Sequence, residues 1–176
     1  QDNDYLRIYE INPAVLDIAQ SHFTYLANSA AEYDVILGDA RLSLAQEPDQ
    51  AFDVFILDTF SSDSIPVHLL TREAFELYLR HLAPDGVVAV LISSWYFDFE
   101  PLLRELADAF AMDALLVSSS SPAPGDWGSK WMLMTRNEHF MAQPPLRRLH
   151  RVQSRQQTDV RLWTDDFSSP FQMLKR

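Results

Sequence analysis

The chain has 176 residues, of which 47% are hydrophobic, and this is enough for one globular domain with a substantial core. Its formal net charge of −11 argues against a nucleic-acid partner and suits a small cationic ligand. The absence of cysteine excludes disulfides, thiolate metal sites and a cysteine nucleophile. No apolar stretch approaches the ~20 residues of a membrane span. We therefore expect a cytoplasmic protein that uses no metal, with no membrane contact by this piece.

Apolar strands alternate with amphipathic helices along the whole chain. The predicted strands are Leu6–Glu10, Tyr33–Leu37, Val54–Asp58, Val87–Ile92, Ala114–Val117 and Lys130–Thr135. A helix capped by Thr71 is predicted to run past Leu82 and to stop at Pro84-Asp85-Gly86. This β-α order predicts an α/β, Rossmann-like, doubly wound and mainly parallel sheet with helices on both faces. We expect a single domain over residues 1–176, with a β/α core at 5–135 and a C-terminal extension at 136–176.

Acidic residues stand at the ends of the first two strands. Glu10 precedes a helix, and a carboxylate there can accept both hydroxyls of a ribose because it offers two acceptor oxygens. Asp39 follows Gly38, which permits a close ligand approach or an unusual backbone angle. The Asp39 carboxylate can accept a hydrogen bond from the amine of adenine, or it can cap the helix Ala40–Gln46.

The central strand, Val54–Asp58, is a continuous apolar run that ends on a carboxylate. In open α/β sheets, ligands bind beyond the carboxyl ends of the strands, which predicts that Asp58 points into the binding crevice. The alternative is that Asp58 bonds to the backbone of its own loop. Because three strands end in an acid, the pattern favours a ribose clamp at Glu10, an adenine contact at Asp39 and a reaction-site carboxylate at Asp58.

Four segments carry a family resemblance. They are YEINP (9–13), GDARLSL (38–44), LDTFSSDSIPVHLLTREAFELYLRHLAPDG (57–86) and WTDDFS (163–168). In combination they resemble the spermidine synthase family of polyamine aminopropyltransferases, on the class I S-adenosylmethionine-dependent methyltransferase fold. The spermidine synthase-like branch, some members of which are fused to membrane transporter-like regions, is the most similar. The likeness covers most of residues 9–86 and is thinner beyond.

The resemblance implies a ligand and a reaction. In that family the acid after the second strand binds the ribose of decarboxylated S-adenosylmethionine, and the acid of the GD pair contacts the adenine. Glu10 and Asp39 match these acids, with Ile11 and Ala40 beside them. The acid that ends the fourth strand takes a proton from the attacking amine, and Asp58 matches it. A free alkylamine has a pKa near ~10.4, so it arrives protonated and cannot attack. A buried carboxylate can bind the ammonium and receive its proton.

Two further residues enter through the same resemblance. Asp63 is the candidate for a second acid that holds the far amine, although the family's tighter S-[ST]-D-P run is replaced here by TFSSDSIP, which displaces it. His68 is a candidate for assisting proton transfer, with a structural hydrogen-bonding role as the alternative.

The expected function is aminopropyl transfer to a small cationic amine in polyamine biosynthesis, by a homo-oligomer. A methyltransferase that uses S-adenosylmethionine and a catalytically silent domain for assembly or regulation are the alternatives. A nicotinamide dehydrogenase is excluded because the sequence has no G-x-G-x-x-G.

The beginning of the chain carries an expectation of its own. It opens without Met and enters a strand almost at once, as a cut piece would. The resemblance implies that a first strand, lying between those ending at Glu10 and Asp58, and a Gly-rich loop precede Tyr5. We therefore expect the piece to associate, to rearrange, or to pair Leu6–Glu10 directly with Val54–Asp58, and to be inactive alone.

Overall fold

The computed structural model describes residues 4–59, 66–119, 128–152 and 160–175. The packing of the backbone divides the chain into two compact units, residues 1–48 and 49–176. The single-domain organisation expected from the sequence stays a prediction.

The first unit is a two-stranded parallel sheet with two helices. Its elements are β1 (Tyr5–Glu10), α1 (Pro13–His22), β2 (Glu32–Leu37) and α2 (Ala40–Gln46). Asn12 starts α1, because its Oδ1 accepts a hydrogen bond from the backbone N–H of Ala14 at 3.0 Å. Pro13 takes the first helical position, where its missing N–H costs nothing.

The second unit is a four-stranded sheet in the order β3-β4-β6-β5 with helices packed on it. Its elements are β3 (Phe52–Leu57), a 3₁₀ turn (Val67–Leu69), α3 (Arg72–Arg80), β4 (Leu82–Leu91), α4 (Glu100–Ala109), β5 (Asp113–Ser119), β6 (Ser129–Thr135), α5 (Glu138–Met141), α6 (Pro144–Val152) and a second 3₁₀ turn (Pro170–Met173). β3 and β4 are parallel, whereas β6 runs antiparallel to both of its neighbours.

The architecture is therefore α/β with a mixed second sheet. The expectation of a mainly parallel sheet holds for β1–β2 and β3–β4 and is wrong at β6. Only residues 120–128 join β5 to β6, and a parallel crossover needs a dozen residues or more, so a connection this short favours antiparallel pairing. β1 and β3 belong to different sheets, so the direct pairing of Leu6–Glu10 with Val54–Asp58 is not formed.

The boundary between α3 and β4 also differs from the expectation. The helix ends at Arg80, and Leu82 begins β4 instead of continuing the apolar face of the helix. The backbone N–H of Phe52 donates to the carbonyl of His81 at 2.8 Å, which draws this segment into the sheet. The pairing of β3 with β4 is irregular opposite residues 83–86, and such a bulge tolerates Pro84, which has no N–H to donate.

The core of the second unit lies against β4. Val88 and Val90 are fully buried, and α3 packs beside β3 through the stacked rings of Phe55 and Tyr78, whose centroids are 4.8 Å apart. The fully buried side chains that complete this core are Phe75, Phe99, Leu102, Leu103, Leu106, Leu115, Met132 and Met134.

The C-terminal residues are anchored to the start of α3. Trp163 is fully buried, and its carbonyl accepts a hydrogen bond from the N–H of Arg72 at 2.9 Å. Asp165 accepts a hydrogen bond from the hydroxyl of Thr71 at 2.8 Å, and its N–H donates to Glu73 at 2.9 Å. These bonds hold the segment in place although it lies more than ninety residues away in the sequence.

The described residues lack two kinds of feature. None of their helices is long and apolar enough to cross a bilayer. Nor do these residues contain a group of three or more side chains placed to hold a metal ion.

Candidate functional site

The parallel pairing of the first unit brings two of the predicted acids to one edge. Glu10 ends β1 opposite Leu37, the last residue of β2. The N–H of Gly38 donates to the carbonyl of Glu10 at 2.9 Å, which closes the sheet at this edge. Asp39 follows directly, so Glu10 and Asp39 lie at the carboxyl ends of neighbouring strands, where α/β sheets bind ligands.

The Glu10 side chain is half-buried and oriented by one of its oxygens. Its Oε1 accepts a hydrogen bond from the backbone N–H of Asn12 at 2.7 Å. No described residue bonds to Oε2. Ile11, between these two residues, is exposed. A carboxylate fixed in this way presents an acceptor oxygen beside an apolar side chain.

Asp39 caps α2, as one of the two interpretations of the sequence predicted. Its Oδ1 accepts a hydrogen bond from the N–H of Leu42 at 2.9 Å, and Ala40 is the first helical residue. Gly38 has a φ of 143°, a conformation that other residues rarely adopt. A methyl group there would lie 3.4 Å from the Ser43 hydroxyl, so the backbone angle, and not space, requires glycine.

A polar network that the sequence analysis missed supports the same strand. The Arg7 guanidinium binds the carboxylate of Glu47 at two points, at 2.8 and 3.0 Å, and the Tyr9 hydroxyl donates to the same carboxylate at 2.8 Å. The hydrogen bond to Glu47 holds the pKa of Arg7 above its usual value. Burial, with the Glu47 bond, raises the pKa of Tyr9 to about 12. Since side chains alternate along a strand, Glu10 lies on the opposite face of β1.

In the second unit, Asp58 follows β3 at the carboxyl end of the parallel β3–β4 pair, where Leu57 lies opposite Val90. The sequence predicted a buried carboxylate, and this is wrong: Asp58 is exposed and has no hydrogen-bond partner among the described residues. It shares a face of β3 with Val54 and Ile56, which are 56% and 61% exposed. The described residues leave this face of β3 largely uncovered, whereas Phe55 and Leu57 on its other face are buried.

Asp63 and His68 are the other two predicted catalytic residues. Asp63 lies outside the described residues. His68 lies exposed on the 3₁₀ turn Val67–Leu69. Leu69 beside it is buried, and its carbonyl accepts a hydrogen bond from the Tyr78 hydroxyl at 3.2 Å, which anchors the turn to α3.

A cavity of about 420 Å³ opens at the end of β4, next to the strand that leads to Asp58. The described residues that line it are Ser93, Ser94, Trp95, Gly128, Lys130 and Lys175. The sequence analysis did not identify these residues. One available signal was that the chain has only two lysines, Lys130 and Lys175.

Part of the chain is similar to a curated enzyme. A polyamine aminopropyltransferase of Vibrio vulnificus is 33% identical over 86 residues, which are 48% of this chain and 28% of that enzyme. Over these residues the chain resembles the polyamine aminopropyltransferases, and the homology is partial. No protein-family model matches it.

Solved structures share the fold of this chain. A spermidine synthase in complex with the transition-state analogue AdoDATO matches 94% of this chain and 64% of its own length, with a TM-score of 0.58 and 10% identity. Human methyltransferase-like protein 13 in complex with SAH matches 90% of this chain and 86% of its own, with a TM-score of 0.53 and 16% identity. The chain thus spans about a quarter of the curated relative and less than two thirds of the spermidine synthase structure.

Proposed function

We propose that this chain is the transferase part of a spermidine synthase-like protein and transfers an aminopropyl group from decarboxylated S-adenosylmethionine to an amine. The observation that carries the proposal is that each unit presents acids at the carboxyl edge of a parallel strand pair: Glu10 and Asp39 in one, Asp58 in the other. The partial homology to a polyamine aminopropyltransferase supports the same reaction.

Glu10 and Asp39 bind the nucleoside of the donor in this proposal. Glu10, already oriented through Oε1, accepts hydrogen bonds from the ribose hydroxyls. Asp39 accepts one from the exocyclic amine of adenine while continuing to cap α2. Ile11 supplies apolar surface beside the ribose, and Ala40 lies next to the adenine.

The reaction is a direct displacement at carbon. The lone pair of the acceptor nitrogen attacks the aminopropyl carbon that is bonded to the sulfonium sulfur. A C–N bond forms, the C–S bond breaks, and its electron pair stays on sulfur, which leaves the neutral thioether 5′-methylthioadenosine. The acceptor must first lose a proton, because an alkylammonium has no free lone pair and its pKa is near ~10.4. Asp58 attracts the ammonium and receives this proton.

The remaining candidate residues have supporting roles in the proposal. Asp63 holds the far end of the acceptor, and His68, exposed on its turn, assists proton transfer. The intact protein is proposed to be a cytoplasmic homo-oligomer. Light scattering after gel filtration tests the oligomeric state.

The decisive experiment is an assay of 5′-methylthioadenosine release by the intact protein from decarboxylated S-adenosylmethionine in the presence of amines. Release that depends on an amine and is lost in Asp58→Asn supports the proposal. No release with a bound donor contradicts it and favours a catalytically silent domain.

A methyltransferase is the second candidate, because the chain matches 86% of the length of methyltransferase-like protein 13 in complex with SAH, with a TM-score of 0.53. Calorimetry separates the two functions. Tighter binding of S-adenosylmethionine than of its decarboxylated form would favour methyl transfer.

A further inference from the structure

The cavity at the end of β4 has a composition that is unusual for this chain. The protein carries 25 acidic residues against 14 basic ones, and only two of the basic residues, Lys130 and Lys175, are lysines. Both lysines line this cavity, and no acidic side chain is among its described lining residues. Its volume of about 420 Å³ lies within the range of ~300–1,000 Å³ that is typical of small-molecule sites.

The cavity opens on the face of the sheet that is opposite to Asp58. Lys130 shares a face of β6 with the fully buried Met132, because side chains alternate along a strand. Met132 pairs with Val90, which in turn pairs with Leu57, so these side chains all lie on one face. Asp58 is the next residue after Leu57 and lies on the other face. A ligand of the two lysines is therefore held away from the proposed reaction site.

The positive charge of the cavity is not compensated by the described part of the chain, where neither lysine forms an ion pair. The acids that follow β4 have other partners. Asp98 accepts a hydrogen bond from the N–H of Glu100 at 3.2 Å, and the Glu100 carboxylate binds Arg104 at 2.7 Å. The Lys175 ammonium donates to the carbonyl of Ser94, which holds it at the cavity and leaves its remaining N–H groups for a ligand.

Two serine hydroxyls add hydrogen-bond donors to the same lining. The Ser93 hydroxyl accepts a hydrogen bond from the N–H of Lys130 at 2.8 Å, and the Ser94 hydroxyl accepts one from the N–H of Phe97 at 3.2 Å. No described residue accepts a hydrogen bond from either hydroxyl, so both O–H groups remain as donors. Since an oxyanion offers only acceptor oxygens, it matches a lining of two ammonium groups and two O–H groups.

Trp95 supplies the apolar part of the lining. Its side chain is 73% exposed and offers the flat face of an indole beside the charged groups. Aromatic rings pack against such a face in offset or edge-on arrangements. The lining therefore favours a ligand that combines a negative charge with a planar ring.

We propose that this cavity binds a small aromatic anion, in which a planar ring carries a carboxylate or a phosphate and no cationic group. The oxyanion binds Lys130 and Lys175 together with the hydroxyls of Ser93 and Ser94, and the ring lies on Trp95. A ligand with an ammonium group is repelled by the two lysines. This site goes beyond the proposed transfer reaction, which uses none of these residues.

Calorimetry of the chain with four matched probes tests the site. Benzoate and phenyl phosphate carry the two kinds of oxyanion on the same ring, benzyl alcohol is neutral, and benzylamine is positively charged. We expect an anionic probe to bind at least about tenfold more tightly than benzyl alcohol, less tightly as salt is added, and benzylamine not to bind. Tighter binding of benzoate would identify a carboxylate ligand, and tighter binding of phenyl phosphate would identify a phosphate ligand.

Variants then locate the bound probe. Lys130→Gln and Lys175→Gln should each weaken the anionic probe about tenfold, because each removes one charged donor, whereas Lys130→Arg keeps the charge and the affinity. Trp95→Ala should weaken binding and Trp95→Phe, which keeps an aromatic ring, should largely preserve it. Arg148→Gln is the control: Arg148 is exposed and lines another cavity with Arg147, so its loss should change nothing.

Three results would overturn the oxyanion site: no binding of either anionic probe at millimolar concentration, equal binding of benzyl alcohol, or an effect of the lysine variants no larger than that of Arg148→Gln. Lysine-dependent binding that Trp95→Ala leaves unchanged would overturn the aromatic part of the proposal. Because these measurements need neither the aminopropyl donor nor turnover, aminopropyl transfer is decided separately by the release of 5′-methylthioadenosine.

Discussion

The Arg7 guanidinium and the Glu47 carboxylate meet at two points, with Nη2–Oε1 at 2.8 Å and Nε–Oε2 at 3.0 Å. Both side chains are largely buried, with exposed fractions of 16% and 14%. The pair joins β1 to the residue that ends α2, and Tyr9 donates a third hydrogen bond to it. It therefore fixes the helix capped by Asp39 to the strand that ends at Glu10.

Glu47→Gln should lower the free energy of unfolding by about 1–3 kcal/mol, because Arg7 would lose a charged partner in a partly buried setting. Urea unfolding measures the change. Glu76→Gln is the control: it breaks an exposed pair with Arg72, in which both side chains are 53% exposed, and should cost no more than about 0.5 kcal/mol. Equal losses in the two variants would contradict a structural role for the Arg7 network.

The raised pKa of Tyr9 predicts that the stability of the fold decreases in alkaline solution. Its pKa in the folded protein is about 12, above the ordinary value of 10.0. Below pH 10 the tyrosine is protonated in both the folded and the unfolded state, and its contribution to the free energy of unfolding is fully present. Between pH 10 and 12 the unfolded chain loses the proton first, so stability falls. Solvent screening of a half-buried group reduces the size of the effect. Over this pH range we expect the free energy of unfolding to fall by about 1 kcal/mol less in Tyr9→Phe than in the parent. The exposed Tyr25, as Tyr25→Phe, is the control, and identical slopes in parent and Tyr9→Phe would refute the assignment.

Asp58→Asn in the intact protein should reduce turnover by ~10² or more, because it removes the base and keeps the shape, while donor affinity changes little. Asp53→Asn provides the control, since Asp53 is an exposed acid on β3 whose side chain points to the opposite face. Near-normal turnover in Asp58→Asn, measured as 5′-methylthioadenosine release, would mean that Asp58 is not the base.

Glu10→Gln should weaken donor binding by roughly 1–3 kcal/mol with little effect on the chemical step, because the ribose hydroxyls would lose a charged acceptor. Calorimetry with decarboxylated S-adenosylmethionine measures the change. Glu32→Gln, an exposed acid at the start of β2, removes the same charge from the other edge of the sheet and should bind normally. If both variants bind like the parent, Glu10 does not contact the ribose.

The sequence by itself determined the order of strands and helices and the acids at their ends. Asn12 and Asp39 were recognisable as helix caps, and the predicted helix Ala40–Gln46 agrees with α2 at both ends. These features depend on residues within a few positions of one another, and their hydrogen bonds and periodicity can be read locally. The family resemblance came from the same short segments.

Only the tertiary structure decided which distant residues meet and which are exposed. Leu82 fits the apolar period of α3, yet backbone pairing with β3 places it in a strand. Asp58 is exposed because it lies on the uncovered face of β3, together with Val54 and Ile56. Lys130 and Lys175 share one cavity because β6 pairs with β4 and the C-terminal segment bonds to the loop at Tyr96. Such contacts join residues that lie tens of positions apart, and no local pattern of side chains specifies them.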